Sequence, residues 1–366
     1  MKFHRSLAAL AIVAAALIPG ITSRSTATAD LPPAGITISG VDAHDGTIYK
    51  DGATYYLVGT RYSCPAGNFN WLSVPTTFCG FSVFTAPALA GPWTFVRTLF
   101  PVSDVSPYNH TTWQHTCGDE GIGCFNPRMV QRPSDGVWIL WFNAPYDTVH
   151  FNANAYYVMG CNGPAGPCGS SAGAPYGSVS KPAVYKCSGA GDFSIIPDGT
   201  SAWITCNLGG TYPLVFEKLD SCFCNGINVG AVTSVTGIEG PGAFKAADGT
   251  WIATFSDPAC GYCGGTGTGY AVAPALGGPW TWAANPNLGS GDVTARRKIS
   301  ANSCGGQPRT VVTVDGQPYQ YIDLWYGSVN ETNAAIRLEP LVPTPPYTSG
   351  TAGAPWIGGL KPFTCN

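Results

Sequence analysis

Charge is the scarcest property of this 366-residue chain: 18 Lys and Arg and 21 Asp and Glu make 11% of it. That is less than half the usual globular share, which excludes a disordered acidic chain and a long charged helical assembly. Basic surface is equally thin. The net charge is −3, with a single short basic cluster at Arg296-Arg297-Lys298, so a phosphate-tracking stripe is missing and nucleic acid is not an expected partner. Only 5 His and 3 Met are present. Helical periodicity is almost absent after the first turns of the chain, and no apolar run reaches the length needed to cross a bilayer.

What is abundant is glycine (47), proline (31), cysteine (14) and aromatics (17 Tyr, 16 Phe, 11 Trp). Lys2, His4 and Arg5 precede an apolar run from Leu7 to Ile18, then Pro19-Gly20 and small residues ending Ala27-Thr28-Ala29. This is the secretory signal pattern, so residues 1–29 read as a signal peptide and 30–366 as one mature, soluble, extracellular domain, with no membrane partner after cleavage. Loss of Lys2, Arg5 and Arg24 takes the net charge to −6. All 14 Cys follow the signal, and their even number in an exported chain points to up to seven disulfides serving stability. Zinc held through Cys260-Gly-Tyr-Cys263 or Cys222-Phe-Cys224 is the competing reading, although no second paired knuckle stands at finger spacing. The sequons at Asn109 and Asn330 are read only in a eukaryotic host.

Short runs of Tyr, Trp, Phe, Ile and Val between Gly, Pro, Asn and Asp clusters are strand and turn signals, so the chain reads as all-β. Ala86-Pro-Ala-Leu-Ala-Gly-Pro-Trp-Thr-Phe95 returns as Ala273-Pro-Ala-Leu-Gly-Gly-Pro-Trp-Thr-Trp282, with eight identities in ten. Around these copies a unit of strand, Asp-Gly turn and strand recurs, led by Asp45, Asn126, Asp192, Glu239 and Gln307 and turning at Asp51, Asp135, Asp198, Asp248 and Asp315. Such units are too small to bury both faces alone. Five of them predict a single-domain, disulfide-rich, five-bladed β-propeller; a β-sandwich is the alternative, but its strands need not repeat Asp-Gly at one offset.

In a propeller the first strand of every blade lines the central channel, so the residues leading those strands converge. Three carboxylates in one ring repel, which raises at least one pKa, and a protonated carboxyl beside an ionised one is what glycosidic hydrolysis requires. Each also has a plainer reading: Asp45 before Gly46 as a turn residue, Asp192 as a strand terminus, Glu239 as an exposed strand start.

Asp45-Gly-Thr-Ile-Tyr-Lys-Asp-Gly, Asp192-Phe-Ser-Ile-Ile-Pro-Asp-Gly and Ile238-Glu-Gly-Pro-Gly-Ala-Phe-Lys resemble the three signature segments of glycoside hydrolase family 43. The resemblance implies a five-bladed propeller and an inverting enzyme acting on arabinan, xylan or galactan. Within it Asp45 is the general base, Asp192 the carboxylate that orients and tunes, and Glu239 the general acid. Ala43-His44-Asp45-Gly46, Pro127-Arg128-Met129-Val130 and Gln307 further resemble the branch that cleaves β-1,3-galactan. That branch usually has Glu where this chain has Asn126 and generally lacks a first-blade Asp.

No cofactor is implied, and a structural ion at the propeller axis is left open. The expected partner is a polysaccharide or oligosaccharide. Its candidate contacts are His44, Asn126, Gln307, Trp113 and Trp325, with Trp71 and His115 as further candidates, since an aromatic face suits the C–H face of a sugar. Each Trp has packing between blades as its alternative. Arg128 and Arg309, two residues past the starts of units two and five, either hold the carboxylates or act as structural ion partners. Three functions follow from these features: a secreted glycosidase, a sugar-binding propeller without catalysis, and a durable extracellular structural protein.

Overall fold

In the computed structural model the described residues are 34–63, 78–105, 111–119, 123–145, 155–169, 181–189, 191–208, 210–282, 299–327, 331–348 and 357–366. The segment 1–29, Trp71, both sequon asparagines and Arg296–Lys298 lie outside them.

The Asp-Gly dipeptides do what their chemistry suggests. At Asp315 and Gly316 both φ values are positive, 50° and 77°, and Val314 pairs with Gln317, which is the two-residue hairpin loop whose twist matches its strands. Each dipeptide folds one strand back on the next. After a short first strand β1 (Ile36–Ile38), blade one is β2 (His44–Asp51), β3 (Thr54–Thr60), β4 (Phe81–Ala86) and β5 (Thr94–Leu99). Blade two is β6 (Phe125–Gln131), β7 (Trp138–Asn143) and β8 (Tyr156–Cys161). Blade three is β9 (Phe193–Asp198), β10 (Ser201–Asn207), β11 (Leu214–Leu219) and β12 (Gly226–Val232). Blade four is β13 (Glu239–Lys245), β14 (Trp251–Ser256), β15 (Thr268–Ala273) and β16 (Thr281–Trp282). Blade five is β17 (Gln307–Val314), β18 (Gln317–Leu324) and β19 (Ala335–Pro340); a separate hairpin of β20 (Pro343–Thr348) and β21 (Ile357–Leu360) follows.

Blade five takes its fourth strand from the other end of the chain. β1 pairs antiparallel with β19, Ile36 opposite Leu338 and Ile38 opposite Ile336. No local feature of the sequence marks this closure, since it joins residues some three hundred positions apart. The five inner strands form a closed ring, β2 against β6, β6 against β9, β9 against β13, β13 against β17 and β17 against β2. The repeated Pro-Trp-Thr segment links the third strand to the fourth in blades one and four.

The core lies between blades. Strand β7 shows how a period-2 pattern feeds two cores at once: Trp138, Leu140 and Phe142 face blade one, packing with Val58 and Phe81, while Ile139 and Trp141 face blade three, packing with Phe193 and Ile204. Because a propeller blade is covered on both faces, its middle strand reads as an unbroken apolar run, Trp-Ile-Leu-Trp-Phe.

Among the described residues six disulfides join Cys117–Cys124, Cys161–Cys168, Cys187–Cys206, Cys222–Cys224, Cys260–Cys263 and Cys304–Cys365, and no described cysteine is free. The cysteines weighed as zinc ligands are therefore bonded to each other. Among the described residues no helix is long and apolar enough to cross a membrane.

Candidate active site

Four of the five inner strands bulge where they enter the ring, while β9 pairs with β10 in unbroken register. In β2 the pairing with β3 slips between His44 and Thr47, and Asp45 sits in that gap with φ 45°; in β6 it slips between Phe125 and Arg128, with Asn126 at φ 54°. A bulge re-aims side chains toward a site. Blade four breaks the equivalence by one residue. There Gly240 takes the left-handed position, φ 53°, and a Cβ on it would stand 2.1 Å from the Pro308 carbonyl oxygen, so the acidic residue moves one place forward to 239. The constant offset read from the sequence is thus approximate.

These strand starts line one cavity of about 650 Å³ at that end of the channel, and Asp45, Asn126, Asp192, Glu239 and Gln307 all border it. Arg309, Asn143, Asn207, Tyr62, Tyr262, Trp325, Phe125 and Tyr212 complete much of its wall. A second cavity, about 700 Å³, opens at the hairpin end, where Lys50, Lys245 and Asp315 lie. It holds none of the three carboxylates.

Asp45 is only 2% exposed. Its Oδ1 accepts from the Thr60 hydroxyl at 2.5 Å, its backbone N–H donates to Asp323 Oδ2 at 2.8 Å, and Arg128 donates to its carbonyl at 2.5 Å. Burial pushes its carboxyl up to about 7, against the pull of Arg309 and the Thr60 hydrogen bond.

Glu239 is held at both oxygens. Oε1 accepts from the Ala259 N–H at 3.0 Å and Oε2 from Gln307 Nε2 at 3.3 Å. Burial first, and the neighbouring charge of Asp192 second, raise it to about 7; the N–H groups of Ala259 and Cys260 and the charge of Arg309 oppose that rise. Asp192 accepts at Oδ1 from Arg309 (3.0 Å) and Asn126 (3.2 Å) and at Oδ2 from the N–H of Gly240 (3.0 Å).

Asn126 works as a junction rather than a free sugar contact. Its Oδ1 accepts from Arg309 at 2.8 Å and Arg128 at 3.1 Å, while its Nδ2 points to Asp192 and to Asn143 Oδ1. Arg128 also donates to the carbonyls of Gly46 and Phe193, tying blades one, two and three across the axis. Burial and the nearby Arg309 lower Arg128 to about 10; Asp192 and Asp45 raise Arg309.

Trp325 lines the cavity, with Nε1 donating to Gln307 Oε1 at 2.9 Å. Trp113 does not. It is 2% exposed and packs on Phe100, Phe142 and Tyr157 in the core between blades one and two, because its loop folds inward and the indole buries more apolar surface there. His44 is also corrected: it is wholly buried behind the cavity wall, against Tyr62 and Trp325, with its ring nitrogens each 3.7 Å from a carboxylate, Asp42 and Asp323. Burial opposes its protonation, yet the carboxylate of Asp323 first, with Asp42 and Asp45, raises its pKa overall. Both residues are therefore structural rather than substrate contacts.

Sequence reasoning missed Tyr62, Tyr262, Asp323, Asn143 and Asn207. A signal existed for several of them. Every second strand ends on or beside a polar residue, Thr60, Asn143, Asn207, Ser256 and Asp323, and hairpin pairing brings that end next to the start of the inner strand.

No protein-family model and no curated protein matches the sequence. Solved structures do match the fold. An exo-β-1,3-galactanase of Phanerochaete chrysosporium, crystallised with β-1,3-galactotriose, is 16% identical over 89% of this chain and 67% of its own, with a TM-score of 0.59. One from Clostridium thermocellum is 17% identical over 84% of this chain and 63% of its own, TM-score 0.57. An endo-1,4-β-xylanase of Bacteroides thetaiotaomicron is 15% identical over 89% and 98%, TM-score 0.54. This chain thus spans about two thirds of the length of the two galactanases, and it shares with all three the fold of the glycoside hydrolase family 43 enzymes, a five-bladed β-propeller.

Proposed function

We propose that the protein is a secreted glycoside hydrolase that cleaves a plant-type polysaccharide with inversion, galactan before arabinan or xylan. The observation that carries the reading is the meeting of Asp45, Asp192 and Glu239 at one cavity, with Asp45 and Glu239 both shifted to about 7. Raised carboxyl pKa values at a concave site are a mark of acid–base chemistry.

Glu239 in its protonated form donates to the leaving glycosidic oxygen. Asp45 in its ionised form takes a proton from the water that attacks the anomeric carbon from the opposite face, so the product carries the inverted configuration. Asp192 sustains the protonated state of Glu239 by like-charge repulsion, and Gln307 orients its carboxyl. Tyr62, Tyr262 and Trp325 pack on one another as a buried aromatic wall that shapes this side of the cavity. The galactan preference rests on the likeness of the fold to galactanases and on the sequence resemblance at Asp45-Gly46, Pro127-Arg128-Met129-Val130 and Gln307.

The test is incubation with β-1,3-galactan, arabinan, xylan and aryl glycosides, following the anomer of any product by proton NMR. Inverted product supports the scheme, and retained configuration rules it out. Affinity for an oligosaccharide without turnover of any substrate makes the protein a sugar-binding propeller instead.

A further inference from the structure

The turn Ala259-Cys260-Gly261-Tyr262-Cys263 stands between β14 and β15, and Ala259 through Tyr262 border the cavity. Its base is already closed without a covalent bond: the N–H of Asp257 donates to the Gly267 carbonyl, and the N–H of Gly267 donates to Asp257 Oδ2. The Cys260–Cys263 disulfide lies inside that closed loop and spans three residues. A link over so short a loop constrains the unfolded chain very little, so global stability is a weak reason for it. Local shape is a better one. Ala259 and Tyr262 both hold left-handed backbone, φ 63° and 57°, a conformation that non-glycine residues keep only when their surroundings impose it.

Both oxygens of Glu239 answer to this turn. Oε1 receives the N–H of Ala259 directly at 3.0 Å, and the N–H of Cys260 beside it also favours the ionised carboxylate. Oε2 is reached in steps. Tyr262, fixed by its hydroxyl against the Tyr62 hydroxyl at 3.1 Å, packs edge-on to Trp325 with centroids 4.9 Å apart; Trp325 donates to Gln307, and Gln307 donates to Oε2.

We propose that the Cys260–Cys263 disulfide is a positioning clamp for Glu239, aiming its carboxyl at the leaving oxygen through the Ala259–Tyr262 turn. The inference rests on the hydrolase reading given above. Opening the clamp withdraws the Ala259 N–H donor and the neighbouring Cys260 N–H dipole, both of which favour the ionised carboxylate, while Asp192, Arg309 and Gln307 continue to face it from blades three and five. The pKa of Glu239 then rises further, and proton delivery becomes poorly aimed.

The test compares the native protein with a Cys260→Ser/Cys263→Ser variant on two galactosides. β-1,3-Galactotriose has a poor leaving group and needs the acid, whereas 2,4-dinitrophenyl β-galactoside scarcely does. The clamp predicts a loss of about tenfold or more on the trisaccharide, no more than about twofold on the aryl substrate, and an alkaline limb of kcat/KM displaced to higher pH. Equal losses on both substrates with an unmoved limb, or no loss on either, overturn it. If the native protein turns over neither substrate, the hydrolase reading fails on its own account. The clamp is then judged by the Glu239 carboxyl titration, followed by 13C NMR and assigned with Glu239→Gln: a curve identical in clamped and open protein overturns it. Should the double variant not fold, selective reduction and alkylation of Cys260 and Cys263 in the native protein, verified by mass spectrometry, replaces it in both measurements.

Discussion

Asp192 of blade three accepts a hydrogen bond at 3.0 Å from the backbone N–H of Gly240, the residue that follows Glu239 in blade four. One carboxylate therefore fixes the strand start that carries the other, and its charge helps to hold that other protonated. Asp192→Asn removes the charge and frees Arg309 from its ion pair. Both effects lower the pKa of Glu239. The alkaline limb of kcat/KM is expected to move to lower pH and the rate at pH 7 to fall, read from a pH series on the substrate found in the panel.

Glu239→Gln should abolish proton donation, with a fall of roughly 10²–10⁴ in turnover of a poor leaving group and little change in oligosaccharide affinity. It should also stabilise the fold, in a pH-dependent way. The folded carboxyl binds its proton up to about 7 and the unfolded one only to about 4.5, so the native charge costs stability as pH rises between those values. The variant should match the native protein in unfolding free energy near pH 3.5 and exceed it by roughly 1–3 kcal/mol above pH 8. Urea titrations at the two pH values measure this.

Asp45 must be ionised to act as base, and it too titrates near 7. Activity should rise as Asp45 loses its proton and decline as Glu239 loses its own, giving a narrow bell around neutrality. Asp45→Asn should remove most of the activity and the acid limb with it. A residual rate with the native acid limb would assign the base elsewhere.

Trp113→Ala and Trp325→Phe separate core from cavity. The first empties a fully packed site between blades one and two and should cost about 3–5 kcal/mol of stability with KM unchanged. The second keeps an aromatic ring but removes the donor to buried Gln307 and part of the packing on Tyr62 and Tyr262, so it should cost about 1–3 kcal/mol of stability while lowering kcat as well.

Ile38 is 1% exposed on the strand that completes blade five. Ile38→Asp places an unpaired charge against Tyr321 and Leu338 and should lower stability by about 3 kcal/mol or more, seen as an earlier denaturation midpoint in the whole chain.

Much of this was present in the linear order of residues. The Asp-Gly dipeptides, the duplicated Pro-Trp-Thr segment and the alternating apolar runs are local features, and turn conformation and strand period depend on neighbours a few positions away. They were enough to predict five repeating units and hence a ring whose inner strands bear Asp45, Asn126, Asp192, Glu239 and Gln307. The sequence could not say which aromatic went inward. Trp113 and Trp325 look alike in a string, and only packing against Phe142 or bonding to Gln307 tells them apart. Nor could it show β1 crossing to blade five, His44 sealed between Asp42 and Asp323, or a disulfide-closed turn whose Ala259 N–H reaches Glu239. Those depend on contacts between residues tens to hundreds of positions apart, and it is ring closure that brings them together, setting burial and neighbouring charge and, through them, the protonation of each carboxyl.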